Sequence, residues 1–382
     1  MIFNETSFLT QSIYFDYKLN KLPLDYITMT FLNDWVHSPG YLALGIVITT
    51  VFALAIKHTV PFGTEKIDKM SKRISEDERD ALYSGANDVL VVKQDDNSLK
   101  SSPLNVFVGK FENWETLFQS RENKEAEIHV NGQKVPGITI EIGESGVAEL
   151  ISSEKTCKFT ESQLMQMKLR DGMNKASFVV EELDVEIPFS IFLYDQKTKL
   201  ILTDIDGTIT TSDVRGFLGA SLGYDVHHEG VFEFLHKVAK QGYVIIYLTA
   251  RPIALDLETR KYLFEDPEND ENGYRLPQHP LFLTPAVMSE AALGDSTDHT
   301  NIKTQTLRNL IALFNNKSNQ IYGAYGNKNS DTKAYRNIGI TDDKIFIIDK
   351  QSNMINVGTQ EPTSYKEHAL NIDEMYSSEI EI

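Results

Sequence analysis

With 382 residues, 41% of them hydrophobic, the chain can bury one substantial core and a smaller companion, and two domains are expected. Its formal net charge of −18 excludes a nucleic-acid binder, because a phosphate backbone would be repelled rather than neutralised; no protein partner is predicted. Cys157 is the sole cysteine, so neither an internal disulfide nor a cysteine-rich metal site can form, and a reducing compartment is expected.

Residues 1–40 read as an N-terminal segment mixing aromatic, apolar and acidic positions. Tyr41 to Ile56 then run sixteen residues without a charge, about 24 Å as a helix, which predicts a transmembrane anchor over 41–56. A buried core helix and a secretory signal are the alternatives; the signal fits less well because the run starts late and no basic segment leads into it. Lys57, Lys66, Lys69, Lys72 and Arg73 follow the run, and only Lys18 and Lys21 precede it. A single-pass protein with its C-terminal bulk in the cytosol is therefore expected, with 57–83 as a linker.

Over 84–196 the pattern changes to short alternating segments: DVLVV, LNVFVGKF, AEIHVNG, ITIEIG and VAELI, then ASFVVEEL and EIPFSIFLY after a helical stretch from Thr160 to Lys168. Asn131-Gly132 predicts a hairpin turn. A β-sandwich drawn from both sides of that helix is expected. From Lys199 onward the runs KLILTD, YVIIYLT, IYGAYG and KIFIID are continuously apolar and separated by helical segments, the signature of a parallel sheet with crossover helices over 197–362. Residues 363–382 hold five acids and one lysine and predict a loosely held acidic tail.

In an open α/β sheet the ligand lies beyond the carboxyl ends of the strands, so the residues at those ends are the candidates. The first parallel strand runs into Asp204-Ile205-Asp206-Gly207-Thr208. Two carboxylates spaced by two on an extended segment point the same way, and the amides at Gly207 and Thr208 suit a phosphate. The second strand ends at Thr249-Ala250-Arg251, a hydroxyl and an amide placed for phosphate oxygens, with Arg251 as a substrate-binding candidate; alone, such a threonine reads as a cap or turn residue. Lys303 starts a helix and shares the sheet-facing stripe of Leu307, Leu310, Ile311 and Phe314, where a cation needs an anionic partner. After the fourth strand come Asn327 and Asp331, oxygen donors suited to a hard cation or, read structurally, a strand-to-helix turn.

The ordered set D-x-D-G-T, strand-end threonine, helix-start lysine and G-N-x-x-x-D resembles that of the haloacid-dehalogenase phosphatases. The resemblance implies that Asp204 attacks phosphorus to form an aspartyl-phosphate, while Asp206 protonates the leaving alkoxide and then activates water. It also implies Mg²⁺ held by Asp204, Asp206, Asn327 and Asp331, with Gly207, Thr208, Thr249, Ala250 and Lys303 on the phosphate. Roughly forty residues lie between Asp206 and Thr249 and about fifty between Thr249 and Lys303, leaving little room for a large cap and suiting a bulky or membrane-embedded substrate.

A finer resemblance covers about residues 84–362. SGANDVLVVKQDDNSLKSSPLNVFVGKF (84–111) and EIHVNGQKVPGITIEIGESGVAEL (127–150) look like the amino-terminal segment of the lipins. DIDGTITTSDV (204–214), LTARPIALDLETRKYL (248–263), LPQHPLFLTP (276–285) and AYGNKNSDTKAYRNIGI (324–340) look like their catalytic half. That resemblance implies a Mg²⁺-dependent phosphatidate phosphatase working on a phosphatidate-containing membrane, at the endoplasmic reticulum or nuclear envelope in a eukaryote. It also implies an immunoglobulin-like β-sandwich over 84–196. A non-catalytic phosphatidate-sensing module, or a phosphatase for another lipid or soluble phosphomonoester, are the competing readings.

Overall fold

The alternating segments become strands, and the apolar runs become a second, mostly parallel sheet. The computed structural model describes residues 84–108, 125–138, 140–142, 147–150, 158–181, 185–211, 227–265, 273–285, 299–315 and 318–376, all within one unit that runs from Glu76 to Ile382.

In spatial order the first sheet is β1 (Gly85–Ala86), β4 (Val106–Phe107), β8 (Val147–Leu150), β7 (Ile140–Ile142), β5 (Glu125–Val130), β9 (Gly172–Val180), β10 (Val185–Asp195), β2 (Val89–Lys93) and β3 (Leu99–Ser101), with β6 (Gln133–Lys134) paired to β5. Asn131 and Gly132, both at positive φ, turn β5 back onto β6 as expected for Asn-Gly. Thr160 caps α1 (Glu161–Gln166) in a reciprocal box with Gln163.

β5 pairs with β7 through Glu125 and Ala126, and with β9 through Glu127 to Val130. The strands thus follow one hydrogen-bonded path that changes partners along β5, and this path by itself gives the expected immunoglobulin-like β-sandwich no support. Period-two alternation shows which residues face inward; it does not show where one strand changes partners. Ala86, Val106, Ile128, Phe178 and Ile191 from along this path share one core.

The second sheet runs β13 (Leu281–Thr284), β12 (Val244–Pro252), β11 (Leu200–Asp204), β14 (Ile321–Gly326), β15 (Ile345–Ile348), β16 (Met354–Asn356) and β17 (Pro362–Thr363). Neighbours from β13 to β15 are parallel; β16 and β17 return antiparallel. On one face lies α2 (Val231–Lys240), which inserts Phe234, Leu235 and Val238, and on the other α4 (His299–Leu313), which inserts Leu307, Leu310 and Ile311. Full burial of each such side chain contributes about 1.5–3 kcal/mol, so the helix stripes fix both covering layers.

Two expectations are corrected here. Among the described residues no helix is long and apolar enough to cross a membrane; the 41–56 run lies outside them, and the single-pass placement is withdrawn. The segment after Pro362 is not a loose tail as far as Tyr376, because α6 (Tyr365–Leu370) and α7 (Ile372–Met375) bury Tyr365, His368, Ala369, Ile372 and Tyr376 against α2 and the sheet. Glu367, Asp373 and Glu374 face outward, and composition alone hid the apolar spacing between them.

The two sheets are joined by buried polar side chains. The Asn87 amide donates to the carbonyl of Leu283 and accepts from its N–H, while Asp88 accepts the amides of Leu281 and Ser190. Arg260, from α3 (Asp256–Arg260), lies between Asp88 at 3.0 Å and Asp256 at 2.7 Å, both aspartates being buried.

Candidate active site

β11 is buried along its whole length because it lies between β12 and β14 in the middle of the parallel strands. It ends at Asp204, level with Leu248 of β12. The chain then turns within five residues: the amides of Thr208, Ile209 and Thr210 all reach the Ile205 carbonyl, and the Gly207 amide reaches the Thr210 hydroxyl. Gly207 sits at φ +83°, and a Cβ there would overlap the Asn327 side-chain amide, so glycine is required both by conformation and by this close approach.

The two aspartates have different holders. Asp204, 4% exposed, takes Lys303 Nζ on Oδ1 at 2.5 Å and the Thr208 hydroxyl on Oδ2 at 3.1 Å. Burial pushes its carboxyl well above the usual range; Lys303 opposes that rise, and Asp331 and Asp206 add to it. Asp206 is gripped by Arg251, with Nη2 at 2.7 Å and Nε at 3.0 Å from Oδ1, and receives the Thr249 hydroxyl on Oδ2 at 2.8 Å. The guanidinium fork and the carboxylate match, so Arg251 fixes the direction of Asp206 as well as its charge.

Lys303 lies one turn into α4 on its buried face, as the stripe predicts, and its Nζ also meets Asp331 Oδ1 at 2.6 Å. The carboxylates raise its pKa against the opposing effect of burial, so it stays charged. The other oxygen of Asp331, at the start of α5 (Asn329–Arg336), accepts the amides of Asn327 and Lys328 and shapes the turn after β14. The carbonyl oxygen of the Asn327 side chain is buried without a hydrogen-bond partner.

The structure thus brings Asp204, Asp206, Thr208, Thr249, Arg251, Lys303, Asn327 and Asp331 to one edge of one sheet, with Ala250 on β12 between Thr249 and Arg251. Three expectations change in detail. The Gly207 and Thr208 amides are consumed inside the turn, so the phosphate cradle expected there is not formed by them, and Thr208 instead holds the Asp204 carboxylate. Arg251, read as a substrate ligand, holds Asp206. Of the four expected metal ligands, Asp204 and Asp331 share Lys303 between them and Asp206 is held by Arg251, and among the described residues no three His, Cys, Asp or Glu side chains form a metal-holding group by themselves.

The sequence reading missed Glu258, on α3 just past Arg251. Its carboxylate is buried with no hydrogen-bond partner from another residue, and burial pushes its pKa to about 7. No pattern marks it, since a glutamate on a short helix reads as solvated.

The sequence model of the LNS2 (Lipin/Ned1/Smp2) family matches residues 155–377, and that of the lipin N-terminal conserved region matches residues 64–168. The chain is 32% identical over 210 residues to phosphatidate phosphatase LPIN1 of Homo sapiens, a match covering 54% of this chain and 23% of that protein. It is 28% identical over 298 residues to phosphatidic acid phosphohydrolase 1 of Saccharomyces cerevisiae, covering 73% and 32% respectively. Against phosphatidate phosphatase PAH1 of Arabidopsis thaliana it is 28% identical over 200 residues, covering 51% and 22%. The matches therefore span about a quarter to a third of these relatives' length.

Proposed function

The chain belongs to the LNS2 (Lipin/Ned1/Smp2) family, and on that premise we propose that it is a Mg²⁺-dependent phosphatidate phosphatase, cleaving phosphatidate to diacylglycerol and phosphate at a lipid surface. The observation that carries this reading is the pair of aspartates at the end of the central parallel strand, each held by its own cation. The parallel order around β11 favours a haloacid-dehalogenase-like sheet.

In the proposed reaction an Asp204 oxygen attacks phosphorus, the ester P–O bond breaks, and the leaving alkoxide takes a proton from Asp206. Water then attacks the aspartyl-phosphate, giving its proton to Asp206 and freeing Asp204. Lys303 lowers the repulsion between Asp204 and the incoming phosphate, and Thr208 fixes which way the carboxylate points. Arg251 and Thr249 keep Asp206 aimed.

The residues fit a hard divalent cation on two counts. Asp204, Asp206 and Asp331 against Lys303 and Arg251 leave the edge with one net negative charge before any phosphate enters. The Asn327 carbonyl oxygen is buried and unpaired. Asp204 and Asn327 would hold Mg²⁺, with Asp331 orienting the Asn327 turn, and the remaining positions would go to water and substrate, as Mg²⁺ prefers. Bound there, the ion would neutralise phosphate charge and polarise the phosphoryl group.

The test is phosphate release from phosphatidate in mixed micelles, with Mg²⁺ or chelator, and a soluble phosphate ester alongside. Release that needs Mg²⁺ and prefers the lipid supports the proposal. Equal turnover of the soluble ester reassigns the substrate, and no release from any ester sinks catalysis in favour of a phosphatidate-binding role.

A further inference from the structure

The turn between Asp206 and Ile209 exposes two consecutive backbone carbonyls, those of Gly207 and Thr208, and each is met by a side chain from a distant part of the chain. His228 Nε2 lies 3.3 Å from the Gly207 carbonyl, and the Tyr365 hydroxyl donates to the Thr208 carbonyl at 3.1 Å. Both side chains are almost fully buried.

We propose that His228 and Tyr365 are positioning residues that brace the catalytic turn, setting the direction of Asp206 and of the Thr208 hydroxyl that holds Asp204. A carbonyl only accepts, so His228 carries its hydrogen on Nε2 and takes the Ser352 hydroxyl, 2.8 Å away, on Nδ1. Ser352 belongs to the β15–β16 turn, where Asp349 accepts the amides of Gln351 and Asn353. His228 is itself placed by its backbone N–H, which donates to the Ile209 carbonyl, and by the Thr210–His227 bridge. Tyr365 is seated by its contacts with Phe234 and Tyr325. Inside the turn the Thr208 and Ile209 amides hold one end of these two peptide units on the Ile205 carbonyl, and the Gly207 amide is held on the Thr210 hydroxyl; His228 and Tyr365 hold the carbonyl ends, at and after a conformationally permissive glycine. The helix that follows the second sheet thereby contributes to chemistry that none of its residues touches.

For turnover the proposal rests on the phosphatase reading above; for the turn itself it does not. The experiment uses the full chain in four variants: Tyr365→Phe, His228→Phe, His228→Gln and, as control, Tyr247→Phe. The control loses a bond of the same kind, tyrosine hydroxyl to the Pro277 carbonyl at 3.1 Å, away from the turn. Hydrogen exchange of the amides from Gly207 to Thr210 is measured together with kcat and KM for phosphatidate. Tyr365→Phe and His228→Phe are expected to speed exchange in the turn and lower kcat about ten-fold with KM little changed, as misplacement of reacting groups does. His228→Gln, whose amide donates from nearly the same place as Nε2, retains most of both, and Tyr247→Phe alters neither. Exchange in Tyr365→Phe no faster than in Tyr247→Phe overturns the brace. A wild type that releases no phosphate sinks the phosphatase reading, while exchange still decides the brace.

Discussion

Two buried clusters among the described residues share one charge pattern, a cation between two aspartates. At the joint between the sheets, Arg260 lies between Asp88 and Asp256; at the candidate active site, Lys303 lies between Asp204 and Asp331. The first is closed: Asp88 also accepts the Ser190 and Leu281 amides, Asp256 accepts the Ala86 amide, and Arg260 donates to the Ala86 carbonyl. The second has spare capacity, with an unpaired Asn327 oxygen beside it and a compact ammonium in place of a fork. Equal charge in equal burial therefore does not define a function. A saturated cluster serves as a rivet, and an unsaturated one can admit a ligand.

The sharpest way to break this comparison is Asp204→Asn. It is expected to reduce phosphate release at least about 10³-fold, as loss of a nucleophile does, while thermal unfolding changes little because Lys303 keeps Asp331. Unfolding as severe as the loss of activity would show that the second cluster is structural after all. The mirror experiment is Arg260→Met, which leaves Asp88 and Asp256 buried without their cation and is expected to cost about 3–5 kcal/mol in denaturant unfolding. The remaining folded fraction should turn over normally; a specific fall in kcat would place the joint within the chemistry.

Arg251→Lys comes next. A point charge cannot reproduce the fork on Asp206, and kcat is expected to fall about 10-fold to 100-fold, less than the roughly 10²–10⁴-fold that loss of a general acid–base group costs because the charge is kept and only the aim is lost. An unchanged kcat would show that the fork on Asp206 is structural and not part of the chemistry.

The smallest effect is expected at Glu258, and it depends on pH. Its folded pKa, pushed by burial from 4.5 to about 7, lies above the unfolded value, so its contribution to stability is fully present below 4.5 and is lost as pH rises through 7. Glu258→Gln should thus stabilise the protein by on the order of 2 kcal/mol at pH 8 and hardly at all at pH 4. A melting-temperature gain independent of pH would show that Glu258 is not the buried, neutralised acid described here.

Much of the catalytic edge was legible because strand ends in a parallel sheet are visible locally. LILTD ends at Asp204 and IYGAYG leads directly into Asn327, as expected, whereas the second strand runs past Leu248 through Thr249, Ala250 and Arg251 to Pro252, beyond the end its apolar run YVIIYLT suggests. The stripe from Lys303 to Phe314 likewise located the buried lysine. The joint was illegible: Asp88 and Arg260 are 172 residues apart, and nothing local distinguishes them from solvated charges. β13 was missed since four residues after two prolines carry too little pattern, and β5's change of partner was missed because alternation is blind to pairing. The direction of Arg251 could not be read either, since a residue next to a threonine at a strand end can face substrate or its own neighbour equally well.

Asn87 and Asp88 have one further consequence. β13 ends its sheet, and its outward backbone groups at Leu281 and Leu283 are all engaged: Leu283 by both ends of the Asn87 amide, Leu281 by the Asp88 carboxylate and the Asp88 N–H. Two residues thus imitate the strand that is missing there. Bare edges recruit strands from other molecules. A catalytic half made without residues 84–88 would expose this one, and its first failure would be self-association rather than loss of chemistry.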